Sequence, residues 1–289
     1  MIELLSAAAA DPIRWAELGL QPGIDLGFFT LRFYSLAYLG GILLAYWHTS
    51  RMIKAPGAPM AQNHVDDLFF YCTLGVILGG RLGYATFYDP SLWTDPLALL
   101  SLWNGGMSFH GGLIGVLVAI AWVCHRGGLN FLRVCDYIAV NVPFGMLFGR
   151  LANFINGELW GRPTDVPWAM IFPGGGEIAR HPSQLYQATL EGLLPMIVLL
   201  ALFWLTRARF RPGLLVGTFT AMVALGRFTC EFFREPDAQL AEFAARTGLS
   251  MGQWLTIPLI VLGLALVVWA LGRKPLGTGE GLRRTAETA

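Results

Sequence analysis

Seven stretches of this 289-residue chain, near residues 26–47, 68–88, 108–125, 135–153, 189–206, 213–232 and 254–272, are apolar over about the length of a membrane crossing. A helix needs about 20 such residues to span roughly 30 Å of hydrocarbon. The spacing therefore predicts an all-α integral membrane protein with seven transmembrane helices. Composition agrees: 55% of the residues are hydrophobic and only 13% charged, outside the balance of a soluble domain. No repeat of 20–50 residues and no long linker is visible, so residues 1–289 are expected to form a single membrane domain.

Short cytoplasmic loops collect Lys and Arg. Of the 20 basic residues, eleven fall on one side of the alternation: Arg51, Lys54, Arg126, Arg133, Arg207, Arg209, Arg211, Arg273, Lys274, Arg283 and Arg284. The other side holds Arg14, Arg162, Arg180, Arg234 and Arg246 on much longer connections. That bias predicts an N-terminus outside and a C-terminus in the cytoplasm. The opening MIELLSAAAADP has Glu3 and no basic segment, so the first apolar stretch is the expected insertion signal rather than a cleaved one. The longest connection, 154–188, carries GRPTDVPW, FPGGGE and RHPSQLYQ; its Pro and Gly content predicts a small outer cap. The 89–107 connection, with Trp93 and Trp103, is expected to include an interfacial stretch.

A charge in hydrocarbon costs at least a few kcal/mol and usually faces a polar cavity or a partner. Tyr34, Arg81, His110, Arg150, Asn153, Arg227 and Glu231 all fall at the outer ends of their stretches. Their common level predicts one cavity that opens outward. With about 100° per residue, Arg227, Glu231 and Arg234 share a helical face, as do Arg150 and Asn153. Asn156 and Glu158 would rotate away unless the chain turned at Gly157. His110 stands where a helix begins, followed by Gly111, Gly112 and Gly115, and helix starts suit anions.

Plainer roles compete at each position. Arg227 with Glu231 could be an intrahelical pair, Arg81 a partner of Asp89 or of a headgroup, and His110 a hydrogen-bonded bundle histidine. Asp136 is expected to be a helix-start charge, and Gly40-Gly41 and Gly79-Gly80 sites of close helix packing.

Guanidinium groups bind phosphate in a fork, and the phosphate at this depth is a phospholipid headgroup. Asparagines and Glu158 could bond its hydroxyls, and an imidazole such as His110 suits proton transfer near neutral pH. Cys72, Cys124, Cys135 and Cys230 show no C-x-x-C pairing, no metal constellation appears, and a formal net charge of +1 gives no reason to expect nucleic acid. No G-x-S-x-G and no Cys beside His supply a nucleophile, so an attacking group would arrive with the second substrate. A transporter or flippase of an anionic lipid would also use outer arginines, but would be expected to show inverted repeats or broken helices. A rhodopsin-like receptor lacks its lysine in the last stretch, and an intramembrane protease lacks Ser/His or paired Asp.

The run GRLANFINGELWGRPTD from Gly149 resembles the signature of bacterial phosphatidylglycerol:prolipoprotein diacylglyceryl transferases. The resemblance extends to RFYSLAYLGG around Tyr34, FHGGLIG around His110, RHPSQLYQATLEG around Tyr186 and RFTCEFFREPD around Arg227, and so covers essentially the whole chain. It implies a multi-pass protein of the bacterial inner membrane, using no metal or soluble cofactor. The reaction implied is attack by the lipobox cysteine of a prolipoprotein signal peptide on a glyceryl carbon of phosphatidylglycerol, with glycerol phosphate leaving. By resemblance Arg150 binds the lipid phosphate and Arg227 is the second essential arginine. His110 is the proposed general base, for which Glu158 or Glu231 could substitute. Asn153, Asn156, Glu158, Gly161, Tyr34 and Arg234 line the substrate site. Val223 stands where some members carry tyrosine and Gln187 where glutamate is common; neither position is given a role.

Overall fold

A computed structural model describes residues 12–27, 30–235 and 246–277. Glu3 with the rest of the first eleven residues, and the basic Arg283 and Arg284, lie outside the described residues. The protein is mostly helical. The helices are α1 (Phe33–Met52), α2 (Gln62–Phe87), α3 (Pro96–Leu100), α4 (Phe109–Arg126), α5 (Phe131–Ala139), α6 (Val142–Ile155), α7 (Ser183–Gln187), α8 (Leu194–Leu205), α9 (Leu214–Cys230) and α10 (Met251–Leu271), with a π-helical turn Ala188–Leu193 joining α7 to α8.

Each of the seven apolar stretches contains a helix, and among the described residues five helical segments are long and apolar enough to cross a membrane: Gln62–Phe87, Phe109–Arg126, Phe131–Ile155, Ser183–Leu205 and Met251–Leu271. The stretch Leu214–Cys230 is apolar but shorter. Helix α1 has 20 residues, but Tyr46, His48, Thr49, Ser50 and Arg51 dilute its apolar character. It also begins seven residues later than the stretch 26–47 suggests, because residues before it pair as a hairpin, β2 (Gly23–Asp25) against β3 (Thr30–Arg32).

The described residues form two compact units. One comprises the described residues within Met1–Ala45, Ala139–Ala208 and Leu214–Gly272; the other comprises those within Tyr46–Ile138, Arg209–Gly213 and Arg273–Ala289.

In the second unit, α2 and α4 run antiparallel along a seam of glycines. A Cβ added at Gly75 would lie 2.5 Å from the Gly115 carbonyl oxygen, and one at Gly83 would lie 2.7 Å from Gly111 Cα; Gly79 likewise abuts the Gly111 carbonyl. Small residues of this kind let helix backbones approach where hydrocarbon gives no drive to associate. Asp136 is interior to α5 and accepts a hydrogen bond from the Gly213 amide at 2.8 Å. It is a buried link between segments, not the helix-start charge expected from its place near an apolar boundary.

In the first unit, α9 and α10 run antiparallel, with Gly217 against Leu266 and Gly263 against Ala221. Helix α10 opens on a capping box in which Ser250 and Gln253 satisfy each other's backbone N–H. Gly41 of α1 meets Gly145 of α6, where a Cβ would lie 3.0 Å from Gly145 Cα; Gly40 has nothing within 4 Å. Between α6 and α7 the chain is irregular apart from β4 (Met170–Ile171) and β5 (Ala179–Arg180), which pair antiparallel. Strand β1 (Ile13–Arg14) adds to β4 in parallel, giving the order β1-β4-β5. The next helix begins at Ser183, inside the 154–188 connection drawn from sequence. Its first turn is already regular although His181 and Pro182 precede it.

Candidate functional site

Arg150 and Asn153 lie one turn apart on α6, which enters with Pro143 in its first turn. The helix stops at Ile155, and Gly157 takes φ +65°, a left-handed conformation that favours glycine. A side chain here would also strike Pro173, whose Cγ would sit 2.8 Å from the added Cβ. The turn sends Glu158 back over the helix end. Its Oε1 accepts from Asn153 Nδ2 at 2.9 Å and from Asn156 Nδ2 at 3.1 Å. The chain then passes through Leu159 at φ 57°, held by Gln184 Nε2 on the Glu158 carbonyl at 2.6 Å and by Ser183 Oγ on the Leu159 carbonyl at 3.1 Å.

Gly161 is placed by main chain on both sides. Its amide donates to the His181 carbonyl at 2.9 Å, and the Arg162 amide donates to the Phe233 carbonyl at 2.9 Å. A Cβ at Gly161 would collide with the Phe233 carbonyl and lie 2.8 Å from His181 Cβ. Its role is therefore close packing: the signature turn and the segment after α9 are stitched together there. Arg162 Nε adds a bond to the Arg234 carbonyl at 2.7 Å.

The charged groups of this unit converge. Arg150 Nη2 meets Glu191 Oε2 at 3.3 Å. Arg227 Nη2 meets Glu231 Oε1 at 2.5 Å across one helical turn, and Arg234 Nη1 meets the same oxygen at 3.2 Å. The Glu231 Oε2 accepts from Ser250 Oγ at 2.9 Å. The intrahelical Arg227–Glu231 pair is thus formed, yet Arg227 also interacts electrostatically with Arg150 and Glu191, so the two guanidinium groups share one neighbourhood. Tyr34, 37% exposed, lies within electrostatic reach of Arg150 and Glu158 and shares a hydrogen bond with Tyr38 at 3.2 Å. Arg150 makes one side-chain hydrogen bond among the described residues, and its side chain is 26% exposed. Most of its five N–H donors are available to an anion.

Two residues grouped with this cluster by sequence stand in the other unit. His110 is exposed in the first turn of α4, edge-on to Phe109; Ser108 caps that turn by accepting from the Gly111 amide at 3.2 Å. Arg81 partners neither Asp89 nor an open headgroup position. The residue is 6% exposed, and its guanidinium donates to the carbonyls of Leu99 (2.8 Å), Ala98 (2.7 Å), Gly105 (2.5 Å), Gly106 (3.1 Å) and Ser101 (3.4 Å). It folds the connection after α2.

Glu191 joins this cluster although the sequence reading, which includes it in the run RHPSQLYQATLEG, gives it no role. It is 2% exposed, and its signal is a lone carboxylate near the start of the apolar stretch 189–206. The same unit contains a chain of polar aromatic contacts beside the signature turn. Trp168 Nε1 donates to the Tyr186 hydroxyl at 2.7 Å, and that hydroxyl shares a further hydrogen bond with His181 Nδ1 at 3.1 Å. The ring of Phe233 packs edge-on against both.

Comparison with known proteins agrees with the geometry. Residues 23–269 match the family model described as prolipoprotein diacylglyceryl transferase. The chain is 69% identical over 277 residues to the phosphatidylglycerol–prolipoprotein diacylglyceryl transferase of Erythrobacter litoralis, covering 96% of this chain and 98% of the relative. It is 48% identical to the protein of that name from Zymomonas mobilis, covering 91% and 95%, and 49% identical to that of Rhodospirillum rubrum, covering 97% and 100%. This multi-pass membrane chain belongs to the prolipoprotein diacylglyceryl transferase family.

Proposed function

We infer that this chain transfers the diacylglyceryl group of phosphatidylglycerol to the lipobox cysteine of prolipoproteins, in the bacterial inner membrane. The cysteine sulfur forms a bond to the glyceryl carbon, the carbon–oxygen bond to phosphate breaks, its electron pair goes to the phosphate, and glycerol phosphate departs. The thiol proton passes to a base; by family resemblance this is His110, with Glu158 and Glu231 as alternatives. Glu231 is the least suited of these, because both its oxygens are already engaged by two arginines and Ser250.

The observation that carries this reading is the convergence of Arg150 and Arg227 from separate helices, with Arg150 retaining unused donors. Charge grows on the phosphate as it leaves, and fixed donors aimed at developing charge usually supply the largest share of catalysis. Asn153, Asn156 and Glu158 on the Gly157 turn suit the headgroup hydroxyls, Tyr34 borders them, and Arg234 stands behind Glu231. In this reading the chain crosses the membrane seven times, N-terminus periplasmic and C-terminus cytoplasmic. Helices at all seven apolar stretches and the eleven basic residues on one side support it. The irregular 154–188 segment would then be a periplasmic cap.

The test mixes purified protein, phosphatidylglycerol and a lipobox peptide and weighs the peptide. A diacylglyceryl mass gain is expected, and none with a Cys→Ser peptide. No mass gain with the cysteine peptide, or the same gain with the serine one, overturns the assignment.

A further inference from the structure

The transfer proposed above uses the arginines and the signature turn and leaves one buried charge without a task. Glu191 lies in the π-helical turn Ala188–Leu193, is 2% exposed, and offers Oε2 to Arg150 through a single 3.3 Å contact. Its Oε1 is buried with no hydrogen-bond partner among the described residues. A carboxylate so placed is costly unless nearby cations compensate it, and both Arg150 and Arg227 interact with it electrostatically.

The backbone explains how it comes to lie between them. A Cβ at Gly192 would lie 2.7 Å from Leu147 Cα, on the helix that carries Arg150. A Cβ at Gly226, on the helix that carries Arg227, would lie 2.8 Å from the Leu190 carbonyl oxygen. The residues on either side of Glu191 therefore touch the two arginine-bearing helices at main-chain distance. A π turn closes i→i+5 and is frequent where a helix is adapted to a site; relative to an α-helix it sets the rest of the helix back by one residue, about 100° of rotation.

Resting on the transferase reading, we propose that Glu191 is a positioning residue: the shared counter-ion that lets Arg150 and Arg227 approach each other, and that yields Arg150 to the lipid phosphate. Two guanidinium groups at one place repel in a medium of low dielectric. A carboxylate between them removes that repulsion and orients Arg150 from behind. Its hold is one long contact, so the unused N–H donors can close on a phosphate. The same charge opposes anion binding, so removing it moves affinity and rate in opposite directions.

Glu191→Gln keeps the shape and removes the charge. At saturating peptide, the KM for phosphatidylglycerol is expected to fall about threefold or more and kcat to fall about tenfold or more, a split that loss of folded protein does not produce. E191Q with a KM that is unchanged or raised overturns the proposal. If that chain does not accumulate, Glu191→Asp decides: it keeps the charge one methylene short, so KM should stay within about twofold while kcat falls about tenfold, and an unchanged kcat overturns it. Calorimetric binding of glycerol phosphate, expected to be tighter to E191Q than to the wild type, reads the counter-ion without turnover. Failure of the wild type to modify the peptide thus sinks the transferase reading alone.

Discussion

Arg81 and Arg150 are the same side chain near the ends of apolar stretches, and the protein treats them in opposite ways. All three nitrogens of Arg81 are committed to five carbonyl oxygens of the connection after α2. Arg150 has one long contact to a carboxylate and remains a quarter exposed. The first guanidinium has exchanged water for main chain and has nothing left to offer. The second has exchanged water for a charge that balances it without saturating it. Burial of an arginine near hydrocarbon thus marks function only when its donors are counted, and the count separates a fold residue from a ligand residue.

The sharpest way to break that contrast is Arg150→Ala. Loss of one fixed cation facing developing phosphate charge should cost about 10²–10³ in transfer, with a thermal midpoint close to wild type, read from peptide mass and from unfolding of the purified protein. Arg150→Ala at wild-type rate would end it. Arg81→Ala should do the reverse. The carbonyls of Leu99 and Gly105 lose the Arg81 donor while that of Ala98 keeps only the Ser101 amide, and at about 1–3 kcal/mol for each buried group left unsatisfied, discounted because the loop is partly solvated, the protein loses about 2–4 kcal/mol. Transfer should fall only in step with the folded fraction; a stable R81A protein without activity would place Arg81 in the site. Gly161→Ala sits between the two. Its methyl must displace the Phe233 carbonyl or His181, at a strain of about 1–3 kcal/mol, and because that contact joins the signature turn to the segment carrying Arg234, rate and midpoint should both drop.

The long helices and part of the candidate site's geometry are legible in the sequence because they depend on local pattern. Apolar length locates each long helix, and Arg150, Asn153 and the return of Glu158 through Gly157 follow from helical rotation and one glycine. The illegible part depends on partners distant in sequence. The carbonyls that occupy Arg81 belong to a loop whose path no composition specifies, and Asp136 is explained by an amide 77 residues away. The hairpin before α1 is as apolar as a helix start, so hydropathy places the boundary too early. Glu191 is visible as a charge in an apolar stretch, but its pairing with α6 depends on the glycine contacts that seat the π turn.

The smallest expected effect concerns the polar aromatic contacts beside the signature turn, where main chain rather than charge does the holding. Burial lowers the His181 pKa below the ordinary imidazole value, and the Tyr186 hydroxyl, which accepts from Trp168, can donate to Nδ1 only while that nitrogen carries no proton. Both favour the neutral ring. Neighbouring charges are already engaged: Arg180 with Glu235 at 2.7 Å and Arg162 with the Arg234 carbonyl. Since the folded pKa lies below the roughly 6.5 of an unfolded chain, the unfolded state binds more protons between the two values. Stability should therefore be flat above about pH 6.5 and decline as pH falls below it. His181→Asn keeps an acceptor for Tyr186 and cannot titrate. Its thermal midpoint should match wild type least well near pH 5, where the wild type loses stability that the variant keeps, and the two pH curves should run parallel above neutrality. Because the His181 amide and carbonyl bond to Arg162 and Gly161, the acid loss in wild type should be accompanied by faster proteolysis within 156–163. Identical midpoint curves from pH 5 to 8 would show that the contact network holds the turn regardless of the ring's charge, leaving Gly161 packing as what secures it.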